Sequence, residues 1–551
     1  MEYVCAIHFL HSSASCVSPV AVAMPQTIYL DSNATTPVLP AAIDAATRVM
    51  SEQYGNPSSS HSHGLVAKAV LNQARQSAAH VVGAGEGNVV FTSGATEGIQ
   101  TAVLSALCAI RARRAANPDA ADVLVYGATE HKAVPQALAH WNAVLGLGLE
   151  LRALPVDANG QYDLQTLAFW LPRTALLCTM AANNETGVVG DMAGIDRLLG
   201  AAPHRPLWLV DCVQALGKLD LDLQRTGIDY ATFSGHKLYA PKGVGLLYVR
   251  RGAPFTPLMA GGGQEGGLRS GTENMPAIAA FGAVLQALQQ GQTFASHATL
   301  RGFRDQLEQS LRKAFPAIVF NAPLAQCLPT TLNFSVPGLP SKTLVDVFDA
   351  AGLRLSAGSA CSAAKATPSD VLVAMGLPAW RCESAVRLSI GALTTAHTVI
   401  AACAAIARCG EALQAEQAAR ALVADGSVAD APSAPAPALA ADGCAVDAAA
   451  FTLQWAELDD YLRTHPGACL VDLREGVEHQ VSGGICHGAW KTIHAPVSAL
   501  TAEMPPWCAP GAAPVVLVCR SGNRSLKVAQ WLHSQGHTAV RHVHGGLALR
   551  P

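Results

Sequence analysis

Leu207-Trp208-Leu209-Val210-Asp211 and, a little further on, Asp229-Tyr230-Ala231-Thr232-Phe233-Ser234-Gly235-His236-Lys237 are short apolar runs that end on side chains able to do chemistry. Runs of this length, bounded by polar residues or glycine, read as strands buried on both faces, as in a parallel sheet flanked by helices. Similar runs occupy 88–91, 123–126, 175–179 and 244–249, with helical stretches between them. From Ile28 to about Leu422 the sequence therefore predicts an α/β domain around a mainly parallel sheet. A polar cluster follows each of five strands: Thr92-Ser93-Gly94, Glu130-His131, Asn183-Asn184-Glu185, Asp211 and Ser234-Gly235-His236-Lys237. Ligands bind open α/β sheets at the carboxyl ends of the strands, so these clusters are expected to converge on one site.

Three of them suggest what is bound. Thr92-Ser93-Gly94-Ala95-Thr96-Glu97-Gly98 lies between a strand and a helix, which suits either an anion at the helix N-terminus or a plain helix cap. Lys237 stands beside hydroxyl and imidazole groups in an apolar region, where a desolvated amine could form a Schiff base; a lysine at a strand end is more commonly a surface cation. Asp211 closes an apolar run in which an unpaired carboxylate is costly, so it implies a cationic partner. Pyridoxal 5'-phosphate satisfies all three at once, with its aldehyde on the lysine, its pyridinium on the aspartate and its phosphate at the helix end.

Ile28-Tyr29-Leu30-Asp31-Ser32-Asn33-Ala34-Thr35-Thr36, Asn56-Pro57-Ser58-Ser59, TSGATEG (92–98), Glu130-His131-Lys132, Asn183-Asn184-Glu185-Thr186-Gly187, FSGHKLYAPKG (233–243) and RSGTEN (269–274) occur in this order. Over residues 26–410 the chain resembles the cysteine desulfurases of the NifS/IscS type, class V aminotransferases with the aspartate aminotransferase-like fold type I. The resemblance implies an internal aldimine on Lys237, a pairing of Asp211 with the pyridine nitrogen, and stacking and proton transfer by His131. It implies that Asn184 and Gln214 contact the cofactor's hydroxyl side and that Ala95, Thr96, Ser234 and His236 hold the phosphate. Thr272 would reach the phosphate from the other subunit of a homodimer, and Arg387 would clamp the carboxylate of L-cysteine.

Ser356 to Ala364, SAGSACSAA, is a run of small residues around one thiol, Cys361. A lone cysteine is usually a small buried hydrophobe, but such a stretch cannot pack a core, and a sulfur acceptor that visits a cofactor and leaves needs an exposed, flexible loop. The family's SSGSAC motif falls here, which implies that Cys361 takes the substrate sulfur as a persulfide and releases alanine. Two departures from the family touch dimer contacts and rate: Gly261-Gly262-Gly263-Gln264-Glu265-Gly266-Gly267, where relatives read GGGQERG, and Ala392, where an arginine is common.

A second thiol follows Val515-Val516-Leu517-Val518, in Cys519-Arg520-Ser521-Gly522-Asn523-Arg524-Ser525, with a helix expected over Leu526–Leu532. A thiol at a strand end, ringed by backbone N–H groups and the guanidiniums of Arg520 and Arg524, is expected to be acidic and to bind an anion. With Val471-Asp472-Leu473-Arg474-Glu475 and Gly545-Gly546-Leu547, residues 450–551 resemble a single rhodanese domain, which implies a sulfur relay from Cys361 to Cys519. Gly483-Gly484-Ile485-Cys486-His487-Gly488-Ala489 departs from the usual GHIPGA, and the tryptophan common after GGL is missing. His542, His544 and the Cys403/Cys409 pair are read as structural.

The chain has 551 residues and too many for one compact domain. The Ala/Pro/Ser/Gly-rich stretch 424–443 lacks hydrophobic periodicity, which gives the division 24–415, catalytic domain; 416–448, linker; 449–551, second domain. With 37 basic against 40 acidic residues nothing draws the chain to a nucleic-acid backbone or an anionic membrane, and it contains no uninterrupted apolar run of bilayer length. Small molecules and proteins are the expected partners: L-cysteine, and a sulfur acceptor that is an iron–sulfur scaffold, a tRNA-thiolation enzyme or a sulfur carrier. None of the 15 cysteines forms a C-x-x-C pair, and the first basic residue is Arg48, so a reducing, cytoplasmic setting is expected, with Met24 as the start of the functional chain.

Overall fold

The computed structural model describes residues 27–117, 119–358, 368–424, 448–485, 487–488, 490, 492–500 and 505–551, with side chains to Ala418 in the helix that ends at 424. Met24, Cys361 and most of the expected linker lie outside the described residues. Strands β1 (Asn88–Thr92), β2 (Val123–Gly127), β3 (Glu150–Leu154), β4 (Thr174–Met180), β5 (Leu207–Asp211), β6 (Tyr230–Ser234) and β7 (Gly245–Val249) form one sheet in the order β1-β7-β6-β5-β4-β2-β3. All neighbours are parallel except β7, which runs antiparallel to both β1 and β6. The expected strand runs match all of these but β3. Its sequence, Glu-Leu-Arg-Ala-Leu, is half-polar because it forms the edge of the sheet, where only one flank is paired.

Strand β5 is buried along its whole length because it is central and covered on both faces. Trp208 and Val210 point into one core, with helices α1 (Pro40–Ser51), α2 (Ser62–Val81) and, later in the chain, Met275–Gln290; Leu207 and Leu209 point into the other, with α3 (Ala95–Ala116). The helix Met275–Gln290, α4, starts where the Asn274 side chain accepts from the Ala277 N–H at 3.4 Å.

A second layer is a small antiparallel sheet in the order Ser356–Ala357, Val386–Ser389, Thr331–Ser335, Val319–Phe320. It is backed by α5 (Ser341–Ala350) and α6 (Ala396–Ala424). The stretch Ala396–Ala418 of α6 is long and apolar enough to cross a membrane by length and composition, yet its Val399, Ala402, Ile406, Cys409 and Leu413 are buried with Phe334, Phe348 and Leu388. It is a core helix, and Cys409 is one of its packing residues. Helix α6 also continues past residue 415, so 416–424 extend the helix rather than open the linker. The cause is local: Glu416, Gln417, Ala418, Ala419, Arg420, Ala421 and Leu422 are all good helix formers.

The tail is a five-stranded parallel sheet, ordered Thr452–Leu453, Val540–Val543, Val515–Val518, Cys469–Asp472, Thr492–His494, with helices α7 (Gly476–Ser482) and α8 (Asn523–Ser534). Val477 and Val481 of α7 join the core of the second layer, so the tail rests against α5 and α6.

Candidate active site

Lys237 ends a single tight turn, Gly235–Lys237, that leaves β6. Its Nζ donates to the backbone carbonyls of Asn33 (2.6 Å) and Ala34 (2.8 Å). Two residues on, Tyr239 has φ of 57°, a left-handed conformation that costs a non-glycine residue energy. It is held there because its N–H donates to Thr36 Oγ1 at 2.7 Å, its hydroxyl accepts from the Leu393 N–H at 2.9 Å and its ring stacks on Phe294. Asp211, at the end of β5, is buried and accepts from the Val213 N–H at 2.9 Å. Burial raises its pKa, and the positive charges nearest to oppose that rise are those of His131 and Lys237.

The turn before α3 fits an anion. Gly94 has φ 156° and ψ 177°, a region that in practice only glycine adopts, and the helix end carries no side-chain cap. Thr96 is exposed and Ala95 half-buried, while a Cβ built on Gly94 would lie 3.9 Å from Ser234 Oγ, which places the β6 terminus against the same turn. His236 Nδ1 is 3.1 Å from Thr35 Oγ1. Burial, and then the charges of Lys237 and Lys242, lower its pKa to about 4, so it meets an anion as a neutral ring. Thr272 lines a cavity of about 150 Å³ with Thr92, Ser93 and Gly243 of the same chain. Nearby, Glu265 of the altered GGGQEGG segment forms a two-pronged pair with Arg75 (2.6 and 2.7 Å) and accepts from the Phe91 N–H, which pins that loop to β1.

Arg387 is buried on the small sheet. Its Nη2 donates to Asp31 Oδ1 at 2.6 Å and its Nη1 to the Asn184 carbonyl at 3.0 Å, while its Nε is buried with no acceptor among the described residues. A guanidinium with one N–H unmatched suits a second carboxylate. Gln214 is buried, its Nε2 donating to the Asn33 carbonyl at 3.1 Å and its Oε1 accepting from Lys218 Nζ at 2.5 Å. Sequence reading missed Asp31, Asn33 and Lys218 as members of the site. The first two lie inside the quoted 28–36 motif, and Lys218 stands four residues after Gln214, so each was within reach.

A buried acid, an amine, an uncapped helix end and the exposed His131 ring thus fit pyridoxal phosphate, which they could hold at its nitrogen, aldehyde, phosphate and face respectively. Residues 28–401 match the aminotransferase class-V family model. The chain is 38% identical over 384 residues to the cysteine desulfurase of Bradyrhizobium diazoefficiens, spanning 69% of this chain and 93% of that one. The chain belongs to the class-V aminotransferases, in the cysteine desulfurase group. Among solved structures it is similar to a NifS-like protein, with 30% identity, a TM-score of 0.62 and coverage of 71% of this chain and all of the other. It is also similar to SspA in complex with cysteine, with 29% identity, a TM-score of 0.55 and coverage of 67% and 100%. The fold is the type I fold of this family, and the family's cofactor is pyridoxal phosphate.

Glu130 is another buried acid of the class-V domain. Glu130, next to His131, accepts from the Tyr162 hydroxyl at 2.8 Å, and that hydroxyl in turn accepts from the Met180 N–H at 3.0 Å. Burial, and then the charge of Asp211, push the Glu130 carboxyl up to about 8. The folded protein therefore keeps this proton at pH values where the unfolded chain, titrating near 4.5, has lost it. Stability contributed here falls as pH rises from about 5 to 8. Glu130→Gln keeps an acceptor for Tyr162 and removes the titration. Thermal unfolding of the cofactor-stripped protein is expected to show a flatter decline between pH 5.5 and 8 in this variant, with a gain on the order of 2–4 kcal/mol at the upper end. Parallel curves for variant and parent would rule Glu130 out as the titrating group.

The tail thiol sits as the sequence suggests, where Val515–Val518 ends and α8 begins. Cys519 is fully buried, with the Ser525 N–H 3.4 Å and the Ser525 hydroxyl 3.5 Å from its Sγ. Gly546 closes the loop: it has φ of 54°, a Cβ there would lie 2.1 Å from the Cys519 carbonyl oxygen, and that oxygen accepts from the Leu547 N–H at 2.9 Å. His542 is a buried bridge between Ser525 Oγ (3.3 Å) and Thr452 Oγ1 (3.1 Å), in keeping with a structural role. Carboxylates hold both guanidiniums, and Arg524 remains within electrostatic reach of Cys519. Arg524 makes a two-pronged pair with Glu478 of α7 (2.6 and 2.7 Å), and Arg520 reaches Asp346 (2.7 Å) and Asp349 (3.5 Å) on α5 of the class-V domain. The loop thus faces the first domain.

Proposed function

We propose that the class-V domain converts L-cysteine to L-alanine and stores the sulfur as a persulfide on Cys361, and that the tail is a rhodanese-type unit that takes this sulfur onto Cys519 for delivery to acceptor proteins. The observation that carries the first part is the placement of Lys237 and Asp211 at neighbouring strand ends beside an uncapped helix terminus, in a chain similar to cysteine desulfurases along nearly the whole length of a relative. Pyridoxal phosphate, when bound, supplies the electron sink for chemistry at the substrate's α-carbon. Arg387 and the Asn184 side hold the substrate carboxylate, Lys237 Nζ moves the α-proton, and His131 carries a proton at the exposed mouth of the site. The Cys361 thiolate attacks the substrate sulfur. An S–S bond forms, the C–S bond breaks with its electrons left on carbon, and protonation of that carbon yields the methyl group of alanine.

Support for the tail's role is the strand–Cys519–helix geometry and the glycine-closed loop. Exposed Ile43, Met50, Tyr54, Leu65 and Val66, all on or between α1 and α2, support a homodimer in which Thr272 serves the partner's phosphate site. Free thiols throughout the described residues accord with a reducing, cytoplasmic setting. Labelled cysteine tests the relay. Sulfur is expected on Cys361 first and Cys519 second, and Cys519→Ala should keep alanine formation while losing delivery to cyanide. A Cys519 that stays unlabelled during normal turnover would make the tail a docking module.

A further inference from the structure

Lys218 is the one lysine buried among the described residues, and it makes no ion pair with a carboxylate there. Its Nζ donates to Gln214 Oε1 at 2.5 Å and lies 3.4 Å from Asn33 Oδ1. The charged groups facing this pocket are Lys237, Arg387 with its partner Asp31, Asp211, and His131 and His236 at the margins. Burial, then Lys237 and Arg387, lower the Lys218 amine to about 7. A buried amine without a counter-charge is unfavourable, and packing alone would be better served by a hydrocarbon side chain.

What the amine does is visible in the bonds around Gln214. A side-chain amide can present either its oxygen or its NH2 group, and the two ends are chosen by their partners. Here Lys218 offers N–H to Oε1, and the Asn33 carbonyl takes Nε2 at 3.1 Å while also taking Lys237 Nζ at 2.6 Å. Gln214 is therefore held with its NH2 group toward Lys237, so that toward a ligand on that lysine it can only donate. We propose that Lys218 is a positioning residue that locks Gln214 as a hydrogen-bond donor to the hydroxyl oxygen of bound pyridoxal phosphate, and so keeps the lysine-bound nitrogen weakly basic. This rests on the reading of Lys237 as the cofactor-bearing lysine. A donor to the oxygen stabilises its negative charge most when the adjacent nitrogen has lost its proton, which lowers that nitrogen's proton affinity. With Lys218 gone, only the Asn33 carbonyl, shared with Lys237 Nζ, still selects the NH2 end, so the amide turns more readily to present its oxygen.

The test is a pH titration of the visible absorbance of the purified holoenzyme. In Lys218→Met the midpoint of the colour change is expected to rise by about one pH unit, a tenfold gain in proton affinity, at unchanged cofactor content. Lys218→Arg, which restores N–H donors, should return the midpoint toward the parent value. Gln214→Leu removes the donor itself and should also raise the midpoint; adding Lys218→Met to it should then change nothing more. An unmoved midpoint in Lys218→Met at full cofactor content overturns the proposal. If that variant fails to retain cofactor, an unmoved midpoint in Gln214→Leu overturns it equally. A parent protein with no yellow chromophore, or one whose colour survives reduction without a covalent mark on Lys237, would overturn the lysine assignment instead.

Discussion

Lys237→Ala is expected to lower alanine formation from L-cysteine by on the order of 10⁴-fold or more, the scale seen when a central catalytic group is removed. The loss should be chemical and not a failure to fold, because the Lys237 side chain is only partly buried and makes its bonds to two carbonyls, Asn33 and Ala34, that already lie in an ordered segment. Removing the amine leaves Asp211, His236 and the turn before α3 in place, so the variant should still take up pyridoxal phosphate, now without covalent attachment. Alanine assayed beside cofactor content separates the two effects. Near-parental turnover in a variant confirmed by mass would end the assignment of Lys237.

The second large effect belongs to Cys361→Ala. Arg387, Asn184, His131 and Lys237 all remain in this variant, so cysteine should still bind and still change the visible spectrum. Persulfide and sulfide should fall to background, because Cys212, the thiol next to Asp211, is buried, and burial first and then Asp211 keep it protonated. Persulfide trapping with an alkylating probe, read by peptide mass, follows the loss directly. Trapped sulfur on a different cysteine of the first domain would move the acceptor there.

Much of this site was legible because its residues end strands. Asp211, Ser234 and Glu130-His131 all follow apolar runs whose period and boundaries mark the strand, and the chain reversal that brings them together is a property of any open parallel sheet. What stayed hidden was pairing between distant segments. Nothing in the local pattern says that Arg387 would spend one N–H on Asp31, since that contact joins residues 356 positions apart. The edge strand Glu150–Leu154 escaped for a related reason: exposure on one flank dilutes the apolar signal that burial imposes on its neighbours. The end of α6 was misplaced because residues 416–424, assigned to the linker beside the Ala/Pro-rich stretch, are themselves good helix formers.

The pairing of Arg520 with Asp346 and Asp349 changes how the tail's thiol can be reached. With the loop resting on α5, the Arg520 charge is paired with two carboxylates and Cys519 is buried, so a ligand would reach the thiol only if the loop left that seat. On the proposed relay, transfer through Cys519 would then include a first-order departure of the loop from α5 that no excess of acceptor could hasten. Arg520 keeps about a quarter of its side chain in solvent, at 28%, so dissolved salt would loosen this seat even as it weakened attraction to a free anion, the opposite of its effect on simple anion capture.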